Sequence, residues 1–158
     1  MGFFLVQVLT GLSSAAAVFL VASGLSIIFG VTRVVNFAHG SFYMLGAFFA
    51  YTFTGHLTSV VGFWVAMLLS AIAVGLIGVI VEILILRRVY QAPELFQLVA
   101  TFGVILVIQD FALLVWGAED LLGPLAPGLD STVNIFGTLL PEYDLALIAL
   151  SLIVLVAL

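Results

Sequence analysis

The chain has 158 residues, of which 65% are hydrophobic and only 7% are charged, and its formal net charge is −5. Because a soluble domain carries about 25% charged residues, this composition excludes a soluble enzyme and indicates a helical membrane protein. The absence of cysteine excludes disulfides and thiolate chemistry. Two histidines are too few for a Cys/His metal site, and the negative charge argues against nucleic-acid binding.

Five apolar runs follow one another along the chain, and a helix needs about 20 apolar residues to cross a bilayer. The runs are Phe3–Phe29, Phe37–Gly55, Val60–Leu86, Leu95–Gly117 and Leu145–Leu158. They predict an all-α fold, a polytopic transmembrane helical bundle with four complete spans plus a truncated fifth, in one domain over residues 1–158. If the fifth run is a truncated span, the sequence is the N-terminal half of a longer chain. A short interfacial helix is the alternative.

The three basic residues predict the orientation of the chain in the membrane. Arg33 lies between the first two runs, and Arg87 and Arg88 lie between the third and the fourth. Loops rich in Lys and Arg face the cytoplasm, so we expect both connectors inside and the N-terminus outside. The connector Ala118–Asp144 then faces outward. It has five acidic residues and no basic one, and its prolines and glycines predict a structured loop.

A break between the first two runs is the most informative part of the sequence. Gly30 suits the position just past the end of the first helix, and Asn36 suits the N-cap of the second. The connector 31–35 is mostly apolar. It is either a tight loop at the membrane interface, with Arg33 facing lipid phosphates, or a buried helix break near the inner end of a pathway.

Polar and small residues repeat on one face of the predicted second helix. Asn36, Gly40, Tyr43 and Ala47 follow at helical spacing, and His39 lies beside them. Polar groups inside a membrane protein are costly and often mark a pathway. We therefore predict that this face points inward, with Asn36, His39, Gly40 and Tyr43 lining a substrate pathway. The alternative for His39 is a hydrogen-bonded packing role.

Two acidic residues lie within the later runs. Asp110 precedes Gly117 by seven positions, which places it roughly 10 Å below the outer end of the fourth run. It lines a cavity in one interpretation and makes a structural polar contact in the other. Glu82 lies near Arg87 and Arg88 at the predicted inner end of the third run, where a snorkelling charge with a structural, inner-loop role is the simplest interpretation.

The sequence around the break resembles a known family. The segment NFAHG at 36–40, followed by YMLGA at 43–47, is similar to the permeases of bacterial branched-chain amino acid ABC importers, specifically the LivH-type subunit. Glu82, Arg87, Tyr90 and the segment LVATFG at 98–103 also resemble that family. Arg88 departs from the proline expected in many relatives, which leaves the shape of the inner loop open.

The resemblance implies a role in transport across the bacterial inner membrane. The chain would be one half of a heterodimeric pore, with a second homologous permease, two cytoplasmic ATPases and a periplasmic substrate-binding protein as partners. It would be no enzyme and would bind no cofactor or metal, since the partner subunits hydrolyse ATP. Phe37 favours branched-chain amino acids as substrates. A urea or short-amide permease and a non-transporting structural subunit remain the alternatives.

Overall fold

The structure is a computed structural model that describes residues 2–33, 36–135 and 137–158. It is mostly helical. The helices are α1 Gly2–Thr32, α2 His39–His56, α3 Val60–Val81, the single turn α4 Arg87–Val89, α5 Glu94–Trp116 and α6 Glu142–Ala157. A π-helical segment, Glu82–Leu86, joins α3 to α4, and the strands β1 Thr132–Ile135 and β2 Thr138–Pro141 precede α6.

Each predicted apolar run is helical over most of its length. Within the described residues, three helices are long and apolar enough to cross a membrane by length and composition: Gly2–Val31, Val60–Val89 and Glu94–Trp116. The part of the prediction that is confirmed is therefore a mostly helical chain with several candidate membrane spans.

The helix ends follow from local chemistry. Ser59 is the N-cap of α3, and its hydroxyl accepts the N–H of Gly62 at 3.0 Å. Glu94 opens α5, where a negative charge is favourable beside the positive end of the helix dipole. Gly117 ends α5 with a φ of 81°, a conformation that glycine adopts without strain.

The chain divides into two compact units, Met1–Gly24 with Leu125–Leu158 and Leu25–Pro124. In the first unit, the Ser13 hydroxyl donates to a carboxylate oxygen of Asp144 at 2.8 Å, which ties α1 to α6. The strands β1 and β2 form an antiparallel hairpin in which Val133 pairs with Leu140.

This hairpin is a correction to the all-α prediction. The connector Ala118–Asp144 was expected only as a structured loop. Its turn is held by the side-chain oxygen of Asn134, which accepts the N–H of Gly137 at 2.8 Å, and Gly137 has a φ of 85°. The signal in the sequence was the alternating Thr-Val-Asn-Ile segment before a glycine, which is typical of a short strand and turn.

In the second unit, α2 packs against both α3 and α5. Gly62, Ala66 and Ser70, spaced four apart, are the buried residues of α3. Such small residues let two helices approach closely, and the Ser70 hydroxyl reaches the Gly46 carbonyl of α2 at 3.2 Å. A small buried core lies between α2 and α5 and comprises Ala38, Leu45, Val104 and Ile108.

Aromatic side chains pack together where the end of α2 meets the end of α5. The indole N–H of Trp116 donates to the Thr52 hydroxyl at 2.8 Å, and its ring stacks on Phe48 with centroids 5.0 Å apart. Since Leu45 packs with Val104 and Ile108, while Thr52 meets Trp116, α2 and α5 run in the same direction side by side.

Candidate functional site

The end of α1 differs from the prediction. Gly30 lies inside the helix, which continues to Thr32, so the prediction that Gly30 follows the helix end is wrong. Arg33 instead takes the left-handed conformation, with a φ of 55°, and its N–H donates to the Phe29 carbonyl at 2.8 Å. Left-handed backbone is uncommon for a residue other than glycine. The predicted connector residues 34 and 35 lie outside the described residues.

Asn36 organises the turn into α2 but is not its N-cap. The helix begins at His39, and Ala38 is the N-cap residue, so the predicted cap position is wrong by two residues. The Asn36 side-chain oxygen accepts the Ala38 N–H at 3.0 Å, and its carbonyl accepts the His39 N–H at 3.2 Å. Asn36 is only 7% exposed. It forms an Asx-type turn, the common alternative that asparagine offers to a cap.

The face of α2 that was predicted to point inward is open at Gly40 and Tyr43, whereas Asn36, which precedes the helix, is buried. The buried residues of α2 are Ser41, Leu45 and Thr54. Tyr43 is 62% exposed, and a Cβ built on Gly40 would have no atom of the described residues within 4 Å. Gly40 and Tyr43 are therefore not covered by the part of the chain that the structure describes, and the inward orientation and pathway role of Asn36, His39, Gly40 and Tyr43 stay predictions.

A cavity of about 360 Å³ lies beside the turn, and we call it the inner cavity. Its walls come from the end of α1, the turn and the start of α5: Phe29, Arg33, Phe37, Glu94, Gln97 and Leu98. It brings a guanidinium, a carboxylate and a carboxamide to one space. The Gln97 amide nitrogen is held there by the carbonyls of Tyr90 at 3.3 Å and Ala92 at 3.0 Å.

An apolar cavity of about 480 Å³ adjoins the inner cavity and shares Phe37 and Leu98 with it. Its remaining lining residues are Val99, Phe102 and Ile105. Sequence reasoning assigned Arg33 a role in the connector and in the orientation of the chain, and it did not single out Glu94 or Gln97. The available signal was the presence of ionisable residues in two connectors that were predicted on the same face of the membrane.

Glu82 accepts a hydrogen bond from a residue that follows the π-helical segment. The Tyr90 hydroxyl donates to its carboxylate. Burial, together with this bond and the negative charge of Glu82, raises the pKa of Tyr90 to about 12. Arg87 and Arg88, the predicted inner-loop residues, lie on the single turn α4 between Glu82 and Tyr90, and both are exposed. The π-helical geometry is notable because such wide turns often occur at functional sites.

Asp110 lies apart from the residues around Asn36. It is exposed on α5, about 1.7 turns before Trp116, and Trp116 contacts α2 near the end of that helix. The structure therefore does not bring Asp110 and Asn36 into one site. Among the described residues, no group of three His, Asp or Glu side chains is placed to hold a metal ion.

Residues 7–158 match the family described as the permease component of the branched-chain amino acid transport system. The chain belongs to this family. The permease family is one of transport proteins, and together with the apolar helices the match supports a multi-pass membrane protein.

Known permeases similar to this chain carry related names. The high-affinity branched-chain amino acid transport system permease protein LivH of Salmonella typhimurium is 28% identical over 131 residues, as is LivH of Escherichia coli K12. The permease protein BraD of Pseudomonas aeruginosa is 27% identical over 133 residues. These matches cover 77% and 79% of this chain but only 42% and 43% of the relatives. No solved structure matches the permease chain significantly.

Proposed function

We propose that this chain is a membrane-spanning permease subunit of an ABC importer that carries branched-chain amino acids across the bacterial inner membrane. The observation that carries the proposal is the family match over residues 7–158. The names of LivH and BraD support the substrate class.

The proposal includes one permease domain over residues 1–158, with an outside N-terminus, four complete spans and a fifth that starts in α6. The arginine distribution supports the orientation. α2 has 18 residues, which at 1.5 Å per residue gives about 27 Å. This length is close to the hydrocarbon core of about 30 Å, which supports α2 as a further crossing.

The proposed partners are a second homologous permease, two cytoplasmic ATPases that hydrolyse ATP, and a periplasmic substrate-binding protein. The open face of α2 supports a neighbour at this position, because a tyrosine hydroxyl and bare glycine backbone are poorly matched to lipid. We propose that Asn36, His39, Gly40 and Tyr43 line the substrate pathway there. Asp110 is proposed to line a separate part of the pathway nearer the outer side.

Uptake by the complete transporter tests the proposed function. The full-length permease is expressed with its partners in cells that lack their own branched-chain amino acid importers, and ATP-dependent uptake of labelled leucine is measured. We expect uptake that excess isoleucine and valine suppress and that urea and acetamide do not. Preferential uptake of urea or acetamide, or no uptake by the assembled transporter, would contradict the proposal.

A glycine substitution tests the pathway assignment separately. Among the described residues, no atom lies within 4 Å of a Cβ at Gly40 or Gly55, so a leucine at either position meets no described neighbour at its Cβ. We expect Gly40→Leu to reach the membrane and assemble but to lose most transport per molecule. Gly55→Leu, at the other end of α2, should transport normally. Equal transport by the two variants would remove Gly40 from the pathway.

A further inference from the structure

We propose that the inner cavity and the adjoining apolar cavity together form a binding site for an amino acid that carries both charges and an aliphatic side chain. The inference rests on the proposed function, because it assigns a site to that transporter's substrate. It names Arg33 and Glu94 as the groups that bind the two charged ends of the ligand.

The first step of the argument is the pair of opposite charges. Arg33 and Glu94 come from different connectors and line one cavity of about 360 Å³. Within residues 2–33, 36–135 and 137–158, neither charged group forms an ion pair or a side-chain hydrogen bond. A zwitterion supplies a carboxylate for the guanidinium and an ammonium for the carboxylate, and charge-assisted hydrogen bonds of this kind are the strong ones.

A third polar group adds to this complementarity. The amide nitrogen of Gln97 is already committed to the carbonyls of Tyr90 and Ala92. Those bonds fix the side chain and leave its oxygen, which can only accept hydrogen bonds. An ammonium group has three donors and no acceptor, so Glu94 and Gln97 together suit the amino end of the ligand.

The apolar cavity suits the other part of the ligand. Its walls contain only apolar side chains, and Phe37 and Leu98 belong to both cavities, so an aliphatic side chain can extend from the polar space into the apolar one. The two volumes, about 360 and 480 Å³, lie within the range of small-molecule sites. Both connectors are predicted to face the cytoplasm, so this would be the release end of the pathway.

Binding measurements on the complete transporter test the site. The transporter is purified in lipid nanodiscs without its periplasmic binding protein, and the affinity for labelled leucine is measured directly. Leucinamide, which lacks the carboxylate, and 4-methylpentanoate, which lacks the amine, serve as competitors. The variants are Arg33→Gln and Glu94→Gln. Arg88→Gln and Glu119→Gln are the charge-matched controls, since both residues are exposed and line neither cavity.

We expect each cavity variant to weaken leucine binding about tenfold, the equivalent of about 1.4 kcal/mol. Arg33→Gln should leave the affinity for leucinamide unchanged, and Glu94→Gln should leave that for 4-methylpentanoate unchanged. Arg33→Lys and Glu94→Asp, which keep the charges, should retain most of the affinity. The two controls should bind all three compounds as the unaltered transporter does.

Other outcomes overturn one proposal and not the other. Absence of leucine binding, or unchanged leucine affinity in Arg33→Gln and Glu94→Gln, overturns the site, and leucine uptake by the same transporter would still support the proposed function. The expected binding pattern in a transporter that takes up no leucine supports the site and contradicts the function. Loss of a tightly bound phospholipid from both variants, seen by mass spectrometry, with unchanged leucine affinity would assign the cavities to lipid and overturn the site.

Discussion

A single buried side chain holds the turn between α1 and α2. The Asn36 oxygen accepts the Ala38 N–H, and alanine at this position would leave that buried donor without its partner. We expect Asn36→Ala to lower the free energy of unfolding by about 1–3 kcal/mol, measured by chemical denaturation in detergent. Asn134→Ala removes the same kind of bond from an exposed turn and should cost less than about 0.5 kcal/mol. Equal losses would contradict the role of burial.

The Tyr90 hydroxyl predicts a pH dependence of stability. Its pKa is raised from 10.0 to about 12, so the folded chain favours the protonated phenol. The resulting stabilisation is complete below pH 10 and is lost as the pH rises through about 12. We expect the unaltered chain to be more stable than Tyr90→Phe below pH 10, and the difference to shrink over this window.

Unfolding free energies of the two chains, measured across that pH range, check this expectation. Tyr43→Phe is the matched control because it removes the same hydroxyl group from a tyrosine that is mostly exposed. A constant difference between the unaltered chain and Tyr90→Phe would contradict the raised pKa of Tyr90.

At the scale of helices and strands, a side-chain hydrogen bond joins α1 to α6. The donor, Ser13, is 4% exposed, and the acceptor is the ionisable Asp144. Hydrogen bonds to charged groups contribute about 1.5–3 kcal/mol, and we expect Ser13→Ala to lose an amount in that range. Ser14→Ala is the control, because Ser14 is exposed and bonds only to the Thr10 carbonyl of its own helix. Thermal unfolding that ranks both variants alike would show that the contact contributes nothing.

The start of α3 has no room for a methyl group at one glycine. A Cβ on Gly62 would lie 2.9 Å from the Leu57 carbonyl oxygen, so Gly62→Ala must displace backbone. We expect a loss of about 1–3 kcal/mol. Gly75→Ala meets open space in the same helix and should gain up to about 1 kcal/mol from helix propensity. Denaturation midpoints check this, and a stabilised Gly62→Ala would contradict the packing of this end.

The elements that were predictable are those with a strong local signal. Long apolar runs predicted the helical segments, since only a helix satisfies its own backbone in lipid. The exact ends were missed where a rare conformation intervened. Arg33 occupies a left-handed position that usually indicates glycine, so Gly30 was a misleading stop signal. The inner cavity was missed because Arg33 and Glu94, which both line it, are far apart in sequence, and local patterns do not encode which distant residues come together.

For the whole molecule, the orientation of α2 in the membrane is the sensitive point. The chain has no cysteine, so a single introduced cysteine is the only labelling site. We expect His56→Cys and Glu119→Cys to react with a membrane-impermeant reagent from outside, and Gln91→Cys only after the membrane is opened. If α2 did not cross the membrane, His56→Cys would be protected from the reagent added outside. Labelling of Gln91→Cys from outside would also contradict the proposed topology.

The π-helical segment changes the angular phase of the helix that contains it. A wide turn holds about one residue more than an α-turn, and each residue of an α-helix advances by about 100°. Positions after Leu86 are therefore offset by about that angle from a helical wheel counted from Val60. Substituting the residues of this helix one at a time should show two regular stripes of sensitive positions, one before Glu82 and one after Leu86, that do not line up along the helix. Deleting one residue from Glu82–Leu86 should merge the stripes and swing Arg87 and Arg88 to a different side of the helix.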